Sequence, residues 1–151
     1  MTLDLLLAIA HHLLILLFAA LLTVELVLLM RPLDNQGATI LARVDGPLGG
    51  VAVLLLAVGF LRVFLGAKPE AFYLQSPLFW AKIAAFLAVG ILTIIPTVRF
   101  IRWSRSAKSD AGFVPPAGEI TAVRRLVATE ALVFLLIPTF AALMARGYGL
   151  G

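Results

Sequence analysis

The sequence predicts an all-α integral membrane protein, a single domain over residues 1–151 built as an antiparallel bundle of four transmembrane helices. Three observations carry that expectation. Apolar residues make up 62% of the chain and charged ones only 13%, and the mean hydropathy of +1.09 is far from the roughly half-apolar usage of soluble domains. Four stretches, 3–30, 47–65, 78–101 and 126–145, reach the about 20 mainly apolar residues that a span requires. The joints between them are short, which favours antiparallel neighbours.

The first span has Asp4 ahead of its apolar run, where a secretory leader would carry basic residues, and so reads as a span rather than a leader. It holds "AIAHHLLILLF", which contains both histidines of the chain, His11 and His12. The second span can start earlier than its apolar run, because "NQGATILARV" offers Asn35 as a cap. Its "GPLGG" at Gly46–Gly50 permits close helix approach, as do Gly59, Gly66 and Gly90. The third opens on "QSPLFW", with Ser76 as a cap and Pro77 at the tolerated first helical position. Trp80 and Trp103 bracket it like interfacial anchors. The fourth follows the Gly/Pro-rich joint "SDAGFVPPAGE" through a basic helical lead-in, and Pro96 and Pro138 are compatible with kinks in the third and fourth spans.

Composition also excludes function classes. With 12 Lys and Arg against 8 Asp and Glu, the net charge is +4. No basic stripe with interleaved aromatics accompanies it, so the charge reads as a topology signal rather than an affinity for nucleic acid. The absence of cysteine excludes disulfides, thiolate metal sites and cysteine nucleophiles, and leaves histidine as the principal soft-metal ligand. No nucleophile triad, phosphate loop or zinc signature is present, and Met30 and Met144 read as packing residues.

Orientation follows from the basic flanks. The first and third joints and their borders hold Arg31, Arg43, Arg99, Arg102, Arg105, Lys108, Arg124 and Arg125, whereas the opposite side has Lys68, Arg146 and, near its surface, Arg62. The excess marks the cytoplasmic side and puts both termini outside the cytoplasm. Ionisable residues within spans then sort into two layers. The outer one holds His11, His12, Arg62 and Lys82, and the inner one Glu25 and Glu130 with Arg43 and Arg99 at similar depth. Glutamates neutralised by arginines would serve as helix glue, and a proton relay through Glu25 or Glu130 is the functional alternative. In the outer layer, Arg62 and Lys82 have no intramembrane carboxylate at their depth. Either they snorkel to lipid phosphates, or a bound anionic cofactor meets them.

Neutral imidazole ligates haem iron and other transition metals, so His11 and His12 are candidate metal ligands as well as candidate structural hydrogen-bonders. Neighbours on a helix are about 100° apart, so they cannot both ligate one iron. The fourteen residues from His11 to Glu25 leave the two about 40° from alignment, which favours His11 as the inward one if Glu25 faces inward.

The early histidine followed by "LL…FAA", the second-span "GPLGGVAVLLLAVGFL", the third-span "FWAKIAAFLAVGILTIIPTVRFIR" and "RRLVATEALVFLL" resemble the HemJ-type protoporphyrinogen oxidases. More closely, the chain resembles an uncharacterised bacterial family of four-span predicted membrane proteins grouped near HemJ and the copper-resistance CopD proteins. The resemblance implies a haem b-binding redox protein of the bacterial inner membrane. It places the family's histidine on His11 or His12, its third-span lysine on Lys82 in the Trp-x-Lys context of "WAK", and its fourth-span glutamate on Glu130. Lys82 and Glu130 would be catalytic, with His11, His12, Arg62 and Lys82 around the cofactor. The first span's "VELVLLMRPL" and the third span's "ILTIIPTVR" depart from the HemJ pattern, which bears on oxidase activity more than on tetrapyrrole binding. A non-enzymatic membrane subunit or assembly factor, and a CopD-like metal-handling protein, are the alternatives. The expected partners are the lipid bilayer, a tetrapyrrole, and a homo-oligomer or larger membrane complex.

Overall fold

A computed structural model describes residues 2–148; residues 1 and 149–151 of the expected domain lie outside the described residues. The helices are α1 (Leu3–Leu29), α2 (Asn35–Leu65), the short α3 (Glu70–Leu74), α4 (Pro77–Ser109) and α5 (Ala117–Ala145). The described residues contain no strand. The four long helices are each apolar enough to cross a membrane, so the chain is a multi-pass, four-span helical bundle.

Three of these helices outrun their apolar stretches, all at the end that carries the arginine-rich joints, here the basic end. A polar residue that leaves the membrane can still continue a helix, so hydropathy stops before the backbone does. α2 starts at Asn35 because Asp34, not Asn35, is its cap: the Asp34 carboxylate accepts from the Gly37 amide at 2.7 Å. Asn35 does something else. Its side-chain nitrogen donates to the carbonyls of Ala107 and Asp110, each at 2.7 Å, and so ties the start of α2 to the end of α4. Pro77 opens α4 as its position predicts, but the Ser76 hydroxyl makes no cap bond.

The long helices form a closed square in chain order: α1 packs on α2, α2 on α4, α4 on α5, and α5 returns to α1. Neither diagonal pair approaches backbone to backbone among the described residues. Each helix buries one stripe at alternating three- and four-residue steps, seen in Val123, Val127, Glu130, Phe134 and Ile137 of α5, the pattern of nearly parallel helix packing. The opposite faces expose large apolar side chains such as Leu16, Val53, Ile91 and Leu132. Four such faces around a buried core are a surface for lipid, not for water.

Two expectations need correction. Trp103 is no interfacial anchor: it is 1% exposed, packs on Phe100 and donates its indole N–H to Glu119 at 3.0 Å. Trp80 is exposed, with its indole N–H on the Leu74 carbonyl. The "GPLGG" glycines do not bring helices of this chain together, since a Cβ on Gly46, Gly49 or Gly50 would meet open space. Gly59 is the glycine that matters inside, where an added Cβ would lie 3.5 Å from the His11 ring.

Candidate functional site

The stripe positions gather polar residues of the long helices into two separate layers: α1, α2 and α4 supply the first, and all four long helices the second. Toward the end that carries the start of α1 and the end of α5, here the cavity end, lies a cavity of about 430 Å³ lined by His11, Arg62 and Lys82, with Lys68 and Tyr73 toward its α3 side. A recess of about 60 Å³ shares His11, Gly59 and Lys82 and continues between Leu55, Phe86 and Phe134. The walls are otherwise apolar. No aspartate or glutamate lines either space.

His11 is half-buried, and its Nδ1 is enclosed without a hydrogen-bond partner. His12, one residue on, is exposed at the cavity rim, with Nδ1 2.6 Å from its own helix's Ala8 carbonyl. The helical pitch separates the two as the alignment with Glu25 suggests. Arg62 is half-buried with its Nε enclosed and unpartnered. Lys82 lies over the Phe79 ring at 5.0 Å and Lys68 over Phe72 at 3.9 Å, cation–π contacts that leave ammonium protons free.

The second layer lies toward the basic end. Glu25, Asp45 and Glu130 are 2%, 5% and 1% exposed, and Asp45 and Glu130 are both within electrostatic reach of Glu25. The fourth helix contributes hydroxyls: Thr93 donates to Glu130 at 2.7 Å and Thr97 to Asp45 at 2.8 Å. The expected pairing of these carboxyls with arginines does not occur. Arg99 is bound to Glu119 at 2.6 Å, and Arg43 points outward. Glu119 therefore answers both Arg99 and Trp103.

The structure thus brings His11, Arg62 and Lys82 together, sets His12 at their rim, and leaves Glu130 elsewhere. Lys82 and Glu130's partner Thr93 are eleven residues apart on α4, about 16 Å at the helical rise. Between the layers sits an apolar plug in which Phe18 stacks on Phe134 with ring centroids 4.8 Å apart, flanked by Leu22, Leu55 and Val89. Asp45 escaped the sequence reading because it lies two residues before the apolar run that marked the second span. An aspartate eleven residues past the Asp34 cap, inside a continuous helix, was the available signal. Among the described residues no three His, Asp or Glu side chains come together to hold a metal ion.

The model of a family described as "Predicted membrane protein (DUF2214)" matches residues 3–149. No curated protein and no solved structure matches the chain.

Proposed function

The chain belongs to the DUF2214 family of predicted membrane proteins, and from that premise we propose that its cavity binds an anionic tetrapyrrole, haem b, in a membrane redox role like that of the HemJ-type oxidases it resembles. The observation that supports this reading is the meeting of His11 with Arg62 and Lys82, with Lys68 and His12 at the edges, in a largely apolar space without a carboxylate. Like charges gathered in such a place repel and are costly to desolvate unless an anion compensates them. A flat apolar body with two carboxylates satisfies both the walls and the cations, and a guanidinium can engage a carboxylate bidentately. The cavity is within the about 300–1,000 Å³ range of ligand sites.

The donor set fits the group. His11 would hold the iron through its imidazole, while Arg62 and Lys82 would hold the propionates; bound there, the haem would supply one-electron chemistry. His12, with Nδ1 on its own backbone, stays at the rim. Glu130 lines neither space and lies beyond the Phe18–Phe134 plug, so any part it takes in turnover is indirect.

Protoporphyrin and its dimethyl ester separate the charge contribution from the apolar one. Quenching of intrinsic fluorescence is expected to show at least about tenfold tighter binding of the free acid, about 1.4 kcal/mol. Equal affinities would remove the role given to Arg62 and Lys82.

The basic end faces the cytoplasm of a bacterial inner membrane in this reading, with both termini periplasmic. A reporter inserted near Asp110 is expected to be active only on the cytoplasmic side. Periplasmic activity there would invert the bundle.

A further inference from the structure

The layer at the basic end plays no part in ligand binding at the cavity, and it has an unexplained atom. Glu130 and Asp45 each have a threonine hydroxyl donating to one carboxyl oxygen. Glu25 has none: its Oε1 is enclosed without any partner, in a side chain 98% removed from the surface. The groups that meet in the layer are Glu25 from α1, Asp45 from α2, Thr93 and Thr97 from α4, and Glu130 from α5. Arg99 of α4, the guanidinium expected at this depth, is held by Glu119 instead.

A buried carboxylate without a cation is expensive, and three within reach of one another are more so. Such a cluster must take up positive charge from somewhere. Among the described residues the side chains do not assemble into a metal site, and the charges that act on Glu25 are those of Asp45 and Glu130, not of a lysine or arginine. A proton meets this need on a single carboxyl oxygen such as the unpartnered Oε1 of Glu25, without a coordination shell.

We infer that Glu25, Asp45 and Glu130 form one exchangeable proton-binding site inside the membrane, with Glu25 as the group through which protons enter and leave. The threonines select that role. By donating to Asp45 and Glu130 they fix those two carboxyls in place, whereas Glu25 has an oxygen committed to nothing. A proton moving between Glu25 and either neighbour leaves the number of protons in the layer unchanged. Exchange with the water at the basic end changes it by one. This site stands apart from the cavity and holds or fails whether or not a tetrapyrrole binds there.

The test uses the full-length protein in lipid nanodiscs. Infrared difference spectra recorded across an alkaline pH step are expected to show the carbonyl band of protonated carboxylic acid at neutral pH, its shift in heavy water, and its loss as pH rises. In Glu25→Gln the pH-dependent part should be lost while Thr93 and Thr97 still hold Glu130 and Asp45. Because a variant can misfold, a second measurement uses the unaltered chain: dicyclohexylcarbodiimide, an apolar reagent for protonated carboxyls, should label Glu25 at neutral pH and progressively less at higher pH. Absence of both the band and the Glu25 adduct would overturn the inference. So would a band indifferent to heavy water and to pH, which would mean protons locked into the fold.

Discussion

His11→Ala is expected to abolish the haem complex, and His12→Ala to leave it nearly intact. The two residues are adjacent, equally apolar in their surroundings by sequence, and chemically identical, so an unequal effect can come only from where the helix points them. His11 is half-buried beside Gly59, lines the cavity and has an enclosed, unpartnered Nδ1. His12 is exposed and spends Nδ1 on the Ala8 carbonyl. Removing even an outer partner of a metal ligand typically costs about 10–100-fold in affinity. Loss of the ligand itself should therefore weaken haem by at least about 100-fold, read as loss of the Soret band at sub-stoichiometric haem. Equal losses in the two variants would show that neither imidazole is aimed at the iron.

Phe18→Ala is expected to be the most destabilising single truncation in the bundle centre. Phe18 is 1% exposed, and its ring stacks on Phe134 at 29° between planes. In lipid, the aliphatic interior offers little transfer advantage over the acyl chains, so most of the cost is lost packing and the void. A void of about 100 Å³ at about 24 cal/mol per Å³ corresponds to about 2–3 kcal/mol. Unfolding in mixed detergent micelles should show that loss, while Leu16→Ala on the lipid face, where Leu16 is 66% exposed, should change stability by less than about 0.5 kcal/mol. Similar losses at both positions would mean that the plug is not the tightly packed centre of the bundle.

The four spans were legible because a run of apolar residues long enough to cross a bilayer has few other uses. Helix ends at the basic side were legible only in part: the early start of α2 was expected, but its cap was misplaced by one residue and the extent of α4 and α5 was missed. Asp34 caps a helix whose first third is too polar to register as a span, and α5 begins before the arginines that seemed to introduce it. That shortfall propagated to the site. Truncating α2 at its apolar run left Asp45 outside the membrane, and truncating α5 hid Glu119, the residue that occupies Arg99. Glu25 and Glu130 were thereby assigned arginine partners, where the bundle gives Glu130 the Thr93 hydroxyl and sets Asp45, itself held by Thr97, beside them. The cavity residues fared better. Arg62 and Lys82 are at matching depths on antiparallel neighbours, and the pitch favours His11 once Glu25 is known to face inward, so depth was legible while the facing had to come from the bundle. Depth also put Lys82 and Glu130 in different layers; it was the family resemblance, not helix geometry, that grouped them as catalytic residues.

The central claim, that the cavity end takes a haem through His11, is tested most directly by optical titration of the purified protein with haem in mild detergent. The account predicts a saturable Soret band at one haem per chain and, after reduction, a ferrous alpha band with ready carbon monoxide binding, since no second histidine of the chain faces the cavity interior. A protein that remains spectrally indistinguishable from free haem plus detergent at every ratio would contradict it.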